Sequence, residues 1–389
     1  MERKYLYEIN FVRAIACLLV VMVHVSAIYF FAYDRSHTTL TNFLTQIGRI
    51  GTPLFALLSG FLLYNQTLNR EFSTRMFLKS RFVKIISPFF FWSFFYLIYK
   101  SIFRNYSFPN FSSTKESVDF IYMFLTGGAH SHLYFIVLVI QFYVLFLLIR
   151  KFLNLKSIVF LTVVSFYLNY TFINNNFAFE NMYIDQFVTS RAFLFQWIFY
   201  FMLGMLLVEL WPKIHSFLII TKNNRYMLLL GCVVIALNVF NYHTNQMVIS
   251  SNKNVINMLT VPIAFMVLIS LYYNLIMINE FIVKVFIKIG NMSMGIYLIH
   301  HFVIYLYLDY APYNVTAYPA FIFIYFIMVV IICMIILKGL SLLPFNQYII
   351  TLVKNNNSNI DFNIRETQDL IRKMNPDDSI DRKERELYV

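Results

Sequence analysis

Long apolar segments alternate with short polar segments along most of the chain. A window of about 20 apolar residues, the length that crosses a bilayer as a helix, fits ten segments. These lie at 9–31, 43–64, 85–103, 133–149, 157–173, 191–211, 226–242, 255–278, 290–309 and 318–338. A shorter apolar stretch at 119–126 is typical of an interfacial or re-entrant piece. The pattern predicts an all-α, polytopic integral membrane bundle of about ten transmembrane helices.

The composition supports one large membrane domain rather than several soluble ones. Of the 389 residues, 59% are hydrophobic and 13% are charged, and the mean hydropathy is +0.64. A soluble domain usually contains about 25% charged residues. We therefore expect a transmembrane domain at 1–338, followed by a polar, cytosolic C-terminal tail at 339–389. The tail sequence predicts a helix at 364–374 and disorder elsewhere.

Lysine and arginine residues are concentrated in alternate polar segments. With the N-terminus in the cytosol, fifteen of them lie in the cytosolic segments that precede or join the spans. The outer loops hold four, which are Arg35, Arg104, Lys115 and Lys253. This bias predicts that both termini are cytosolic, and it explains much of the net charge of +12 without a nucleic-acid partner. The first apolar segment is too long for a signal peptide, so we expect it to be a retained span.

The first apolar segment contains two unexpected polar residues, Arg13 and His24. In a helix they lie within about 20° of one face and about 16 Å apart along the axis, with Cys17 on the same stripe. Arg13 is interpreted either as a snorkelling side chain or as a functional one. A histidine at this depth is expected to face the bundle interior. There it is either a packing residue or a neutral imidazole that can act as a general base.

Weaker candidates are spread over the later segments. Ser59 and Gly60 are small residues that allow close helix approach. Adjacent helix positions diverge by about 100°, so only one of His300 and His301 is expected to face His24, and His300 is preferred. The candidates kept from this group are Arg49, Ser59, His132, Arg191 and His300.

A basic cluster lies between the second and third apolar segments. Its candidate residues are Arg75, Lys79, Arg81 and Lys84. The general excess of cytosolic cations explains part of it. Because guanidinium groups bind phosphate oxygens well, the cluster also predicts a site for the phosphates of a nucleotide-like donor. The sequence contains no Gly-Lys-Ser/Thr phosphate loop, and the three cysteines lie within apolar segments, so no metal site is predicted.

Five motifs, in order, resemble the membrane acyltransferase 3 family. The first, VRAIACLLVVMVH, has that family's Arg-x10-His spacing. GTPLFALLSGFLL is similar to its second-span signature. RFVKIISPFFFW resembles its basic motif before a Pro-aromatic span, with Lys84 where Arg is commoner. HLYFI resembles its His-aromatic motif, with Tyr134 where Trp is often found, and GIYLIHH resembles its late Tyr-Leu-x-His signature.

The resemblance implies a multi-pass protein of the cell membrane that transfers an acyl group, usually acetyl. The donor would be a cytosolic acyl-CoA such as acetyl-CoA, and the acceptor a hydroxyl of an envelope glycan or glycolipid. His24 would act as a general base or transient acyl carrier, and Arg13 would steady the donor or the developing oxyanion. Some family members carry an extracellular esterase-like domain. We expect none in this chain, so a separate extracellular transferase could receive the acyl group.

Two other functions remain open at this point. An exporter or flippase of a surface polysaccharide would use the same polar residues to line a path, without acyl transfer. Such transporters often show a repeat among their spans, and no internal repeat is visible here. A membrane scaffold would not need a polar stripe that reaches His24. These points favour the enzyme.

Overall fold

The computed structural model describes residues 5–34, 36, 38–68, 72–175, 177–245, 253–310, 316, 318–352 and 357–376. Four residues that contribute to the predicted charge bias lie outside the described residues: Arg3, Lys4, Arg35 and Arg70. The tail from 377 onwards also lies outside them. The α-helices in chain order are α1 (Tyr7–Ala32), α2 (Thr39–Gly48), α3 (Gly51–Thr67), α4 (Thr74–Arg81), α5 (Ser87–Phe103), α6 (Thr114–Leu125), α7 (Tyr134–Ile149), α8 (Leu155–Asn174), α9 (Met182–Thr189), α10 (Ile198–Glu209), α11 (Trp211–Leu218), α12 (Thr221–Asn245), α13 (Ile256–Ile278), α14 (Glu280–Tyr310), α15 (Ile322–Leu340), α16 (Asn346–Ile349) and α17 (Asn357–Met374).

The predicted polytopic helical bundle is confirmed. Within the described ranges, ten helical segments are long and apolar enough to cross a membrane, and each overlaps one predicted span. The same ranges contain no strand. The protein is therefore a multi-pass membrane protein. Helix α6 has 12 residues, which is too short to cross a bilayer, as expected for the apolar stretch at 119–126.

Three of the spans are interrupted, and one of the interruptions, between α4 and α5, lines the pocket described below. The second span is two helices, α2 and α3, joined at Arg49 and Ile50. A π-helical turn, Phe82–Ile86, joins α4 to α5. A short 3₁₀ turn, Leu194–Gln196, precedes α10. Breaks of this kind give helices the irregular geometry that functional sites often require.

Helix α1 is the central helix of the bundle. It packs against α2, α3, α13, α14 and α15. Phe11, Val12, Ala14 and Ala16 are fully buried, and these positions point in different directions around the helix. Neighbouring helices therefore cover α1 on several sides, as expected for a helix with buried apolar positions around its circumference.

Glycines allow the closest helix contacts. A Cβ atom at Gly60 of α3 would clash with the backbone carbonyl of Phe201 in α10. A Cβ atom at Gly290 of α14 would clash in the same way with the carbonyl of Asn10 in α1. Small residues permit this approach of one backbone to another, which is how helices commonly associate in membranes.

The polar tail is helical over a longer stretch than predicted. The helix was expected at 364–374, but α17 begins at Asn357. Its N-terminal half is ordered because Ile360 and Ile364 are buried as α17 packs against α13. Gln368 also donates a hydrogen bond of 2.7 Å to the carbonyl of Ile276. The part of the tail described in the structure is therefore docked on the bundle.

The glycine contacts give a test with a matched control. Gly60→Ala should lower the apparent Tm of the detergent-purified protein, because an added methyl group in a packed contact costs about 1–3 kcal/mol. Gly339→Ala should leave the Tm unchanged or slightly higher, since nothing lies within 4 Å of a Cβ atom there. Both positions are helical, so the difference isolates the clash. Equal Tm values for the two variants would contradict the close packing of α3 on α10.

Candidate active site

Five histidines from three parts of the chain meet at one place, which we call the histidine cluster. His24 lies in α1, His300 and His301 lie in α14, and His130 and His132 lie in the loop between α6 and α7. The His24 ring centroid is 5.1 Å from that of His300 and 4.2 Å from that of His301. The His132 ring lies 4.6 Å from that of His301. His24 thus faces the bundle interior, as expected for a polar residue at this depth.

The prediction that only one of the two α14 histidines approaches His24 is wrong. Their side chains diverge by about 100° around the helix. The ring of His24 lies between these two directions and contacts both of them. His300 and His301 are buried, whereas His24 is partly accessible. The site therefore contains two α14 imidazoles, and His24 is less buried than either of them.

The α6–α7 loop is held in place by hydrogen bonds to neighbouring helices. Lys100 Nζ of α5 donates to the carbonyl of Ala129 at 2.7 Å. The hydroxyl of Tyr297 in α14 donates to the carbonyl of His132. The loop turns at Gly127, whose φ of +78° is a conformation that glycine adopts at little cost. The loop thereby brings His132 and its neighbour His130 against α14.

His130 is the member of the cluster that sequence reasoning missed. Its Nε2 lies 2.9 Å from the hydroxyl of Tyr305, and its Nδ1 lies 3.0 Å from Nδ1 of His132. The signal was the His-Ser-His sequence shortly after Gly-Gly at the end of α6. Hydrophobic periodicity describes helices, and it does not show which way a short loop turns.

Burial keeps the loop imidazoles neutral. It lowers the pKa of His130 to about 3, with a further contribution from the positive charge of Lys100. It also lowers the pKa of His132 well below its ordinary value. A neutral imidazole has one donor and one acceptor nitrogen. Buried Nε2 atoms without a hydrogen-bond partner occur on His132, His300 and His301. The cluster therefore offers unprotonated nitrogens that could bind a metal ion.

A pocket of about 390 Å³ lies beside α1, towards the N-terminal end of that helix. This volume is within the usual range for a small-ligand site. Helices α1, α3, α4, α7 and α14 contribute lining residues, together with the turn between α4 and α5 and residues 351–352. The polar residues of the lining include Arg13, Ser59, Gln66, Arg81, Lys84, Tyr143, Ser293 and Tyr297.

Arg13 lies deep in this pocket and is held by α14 and α1. Its Nη2 donates to Ser293 Oγ at 3.0 Å, and its Nη1 donates to Asn10 Oδ1 at 3.3 Å. Cys17 Sγ donates to the carbonyl of the same serine at 3.4 Å. Since Arg13, Cys17 and His24 all contact α14, the predicted polar stripe on one face of α1 is confirmed.

The basic segment at the other end of the pocket contributes fewer residues than predicted. Arg81 and Lys84 line the pocket, and Arg81 Nη2 donates to Gln66 Oε1 at 2.9 Å. Arg75 and Lys79 are exposed and are not among the lining residues. They lie on the part of α4 that faces away from the pocket. Two of the four residues that were predicted to bind phosphate therefore line the pocket.

Tyr297 connects the pocket to the histidine cluster. It lines the pocket, and its ring centroid lies 5.3 Å from that of His132 and 6.0 Å from that of His300. Phe135, another lining residue, packs against it with ring centroids 5.9 Å apart. This aromatic pair separates the two parts of the site, so a ligand in the pocket would have to pass it to reach His24.

The remaining predicted residues have different positions. Ser59 lines the pocket and donates to the carbonyl of Phe55 at 2.7 Å. Arg49 and Arg191 do not line it. The Arg191 guanidinium lies 5.6 Å from the ring centre of Tyr134, the first residue of α7. Both arginines interact electrostatically with His24, so they lie close enough to the histidine cluster to influence its charge.

The fold and the site define a class of protein. It is a multi-pass helical membrane protein in which a pocket with a basic end, suited to an anionic ligand, leads towards neutral imidazoles that can accept protons. The acyltransferase 3 family, whose model is described as an acyltransferase domain, matches residues 6–338 of the chain. The chain belongs to this family, and the matched range contains the whole pocket apart from the residues near Thr351.

Curated relatives have been named for polysaccharide export. A probable poly-beta-1,6-N-acetyl-D-glucosamine export protein of Staphylococcus aureus (strain MRSA252) is 27% identical over 242 residues, which are 60% of this chain and 64% of that protein. A protein of the same name from Staphylococcus epidermidis is 28% identical over 225 residues, which are 56% of this chain and 59% of that protein. The chain thus covers less than two thirds of the length of these relatives.

Two segments carry a similarity to the same staphylococcal group. GTPLF at 51–55 and QWIFYFMLG at 196–204 resemble the intercellular adhesion protein C of staphylococci, in agreement with the curated relatives. No solved structure matches the chain.

Proposed function

We propose that the protein is an integral membrane O-acyltransferase that uses a cytosolic acyl-CoA as donor, with acetyl-CoA as the preferred candidate. The acceptor would be a hydroxyl of a cell-surface polysaccharide or glycolipid. The observation that supports this most is that the pocket and the histidine cluster are adjacent. Arg81 and Lys84 lie at one end of the pocket, Arg13 lies within it, and Tyr297 links it to the cluster around His24.

The pocket suits the extended arm of an acyl-CoA. Phosphate groups would bind at Arg81 and Lys84, where charge-assisted hydrogen bonds are strong. The apolar wall between Leu58 and Val139 would contact the uncharged pantetheine arm. The thioester would then point past Arg13 towards Tyr297. Because Arg75 and Lys79 are exposed on the other face of α4, the proposed donor site does not include them.

The distance along α1 separates the roles of its two polar residues. Arg13 and His24 are about 16 Å apart along the helix axis. Their side chains close only part of that gap, so one thioester carbonyl cannot touch both groups. Arg13 is therefore proposed to bind the donor arm, and His24 to act at the reacting end. This favours donor binding over oxyanion stabilisation for Arg13.

In the proposed reaction, the acceptor hydroxyl attacks the thioester carbonyl and His24 accepts the hydroxyl proton. The C–S bond then breaks, and the leaving thiolate of CoA takes up the proton from His24. General base assistance of this kind contributes about 10²–10⁴-fold to a rate. His24 is suited to it because it is the partly accessible member of the cluster. A transient acyl-histidine is the alternative form of the same step.

The proposal places the N-terminus and the pocket in the cytosol and the acceptor on the opposite side. The excess of Lys and Arg in alternate segments supports this orientation. A surface glycan as acceptor is supported by the relatives, whose names refer to poly-beta-1,6-N-acetyl-D-glucosamine. Membrane lipid surrounds the bundle, and a separate extracellular transferase could carry the acyl group onward. The proposed transfer of the acyl group requires neither nucleic acid nor a metal ion.

Export of a surface polysaccharide is the second candidate function. The names of the relatives favour it. A sugar polymer needs a wide polar path, whereas this pocket of about 390 Å³ is lined in part by apolar residues such as Leu58 and Val139. These features fit a small acyl donor better than a polymer.

A histidine substitution separates the two functions. In cells that produce the glycan, His24→Gln should reduce acylation of the polymer by at least about 100-fold, the lower part of the range for a lost general base. Export of the polymer should continue. Acyl content and exported polymer would be measured on the same cultures at equal protein level. His215→Gln, on α11 and outside the cluster, is the control and should change neither. Lost export with unchanged acylation would refute the enzyme.

The donor site can be tested with two double variants of one basic segment. Arg81→Ala with Lys84→Ala should raise the KM for acetyl-CoA by roughly 10–100-fold, as expected for the loss of charge-assisted hydrogen bonds worth about 1.5–3 kcal/mol. Arg75→Ala with Lys79→Ala removes the same charge from the exposed face and should leave the KM unchanged. Equal effects of the two double variants would show a general electrostatic influence and contradict a specific donor site.

A further inference from the structure

Three members of the histidine cluster have the geometry of a metal site. The ring centroids of His130, His132 and His301 lie 4.3–4.9 Å from one another. One ring nitrogen from each can be chosen so that all lie within 4.8 Å of one another. All three side chains are buried. Nitrogens bound to one tetrahedral zinc ion at 2.0–2.1 Å are separated by about 3.4 Å, so small ring rotations would complete the site.

The hydrogen bonding of the three rings is incomplete without a ligand. The buried Nε2 atoms of His132 and His301 have no hydrogen-bond partner. Leaving a buried polar atom unpaired costs about 1–3 kcal/mol, and native structures rarely tolerate this without a reason such as a bound water or ion. Two such atoms on neighbouring rings leave a place for a ligand, and a cation that binds nitrogen lone pairs fits it.

A second layer of contacts orients the third ring. The hydroxyl of Tyr305 lies 2.9 Å from Nε2 of His130, which leaves Nδ1 to face His132 at 3.0 Å from its Nδ1. Tyr305 in turn stacks on Tyr99, with ring centroids 5.6 Å apart and planes 12° apart. Histidine ligands of metals usually have such a partner on their other nitrogen, which fixes the ring orientation.

We propose that His130, His132 and His301 bind a divalent transition-metal ion of the zinc class. Imidazole nitrogens select zinc, copper, iron or nickel over calcium and magnesium, which prefer oxygen ligands. Three histidines leave one coordination position open, the arrangement of catalytic rather than structural zinc ions. The nearby Lys100 ammonium favours an anionic fourth ligand. The proposal departs from the sequence-based prediction of no metal site, because the three histidines come together only in the folded chain.

The alternative triad of His24, His300 and His301 is less suitable. His301 belongs to both triads, so the two cannot each hold an ion at the same time. In the alternative triad His24 is partly accessible, and the proposed acyl transfer needs the His24 imidazole to be free. A metal ion in the other triad would lower the pKa of a hydroxyl bound at its open position. That consequence rests on the proposed function, whereas metal binding itself does not.

Metal content of the full chain tests the proposal directly. The protein would be purified in detergent, treated with a chelator, loaded with Zn²⁺ or Co²⁺, and examined by elemental analysis and by the visible absorption of Co²⁺. The wild type should bind one ion per chain and show a tetrahedral Co²⁺ spectrum. His132→Gln and His301→Gln should each weaken binding by at least about 100-fold. Tyr305→Phe, which removes an outer contact, should weaken it by about 10-fold.

Controls separate this result from misfolding and from the fate of the proposed enzyme. His215→Gln should bind one ion as the wild type does, and size-exclusion chromatography would check the folding of every variant. If the ligand variants fail to fold, the stoichiometry and Co²⁺ spectrum of the wild type still decide. Wild-type protein that binds no stoichiometric ion, or full binding by both His132→Gln and His301→Gln, would overturn the proposal. Neither readout depends on acyl transfer.

Discussion

The packing of α1 against α14 is the constraint on which the site depends. At one end, Gly290 lets the backbone of α14 approach Asn10, and the amide of Asn10 donates to the side chain of Asn291. Further along, Arg13 is bonded to Ser293. Since both helices are long and closely packed, these contacts fix the register in which the rings of the cluster meet. A shift of one residue would rotate His24 away by about 100°.

Polar groups in an apolar bundle must find partners within the protein, because lipid offers none. The pair of α1 and α14 supplies such partners for Arg13, and loops and helices around it supply them for most of the cluster. Lys100 and Tyr297 hold the α6–α7 loop by bonds to its carbonyls. Within the histidine cluster as the structure describes it, the Nε2 atoms of His132, His300 and His301 are left for a ligand. The arrangement stabilises the site and leaves reactive atoms available at the same time.

The sequence predicted the fold well because the bilayer imposes a simple rule on length and hydropathy. All ten spans follow from the length and hydropathy of the apolar segments. The stripe on α1 follows from the helical spacing of Arg13, Cys17 and His24. The prediction failed where the relevant contact is not periodic. The sequence did not predict that the α6–α7 loop places His130 in the cluster, or that the ring of His24 contacts both α14 histidines. It also did not predict that Arg75 lies outside the pocket lining. The longer helix α17 was missed because its buried residues are few and its other residues are polar.

The central claim is that an acyl donor lies in the pocket with its reactive end directed at the histidine cluster. A cryo-electron microscopy structure of the full chain in a lipid nanodisc, with a non-hydrolysable acetyl-CoA analogue, tests this most directly. If the donor binds as proposed, phosphate density lies beside Arg81 and Lys84, and the acyl end has passed Arg13 and Tyr297 to lie near His24. Density for the analogue elsewhere, or a His24 ring turned towards lipid, would contradict it.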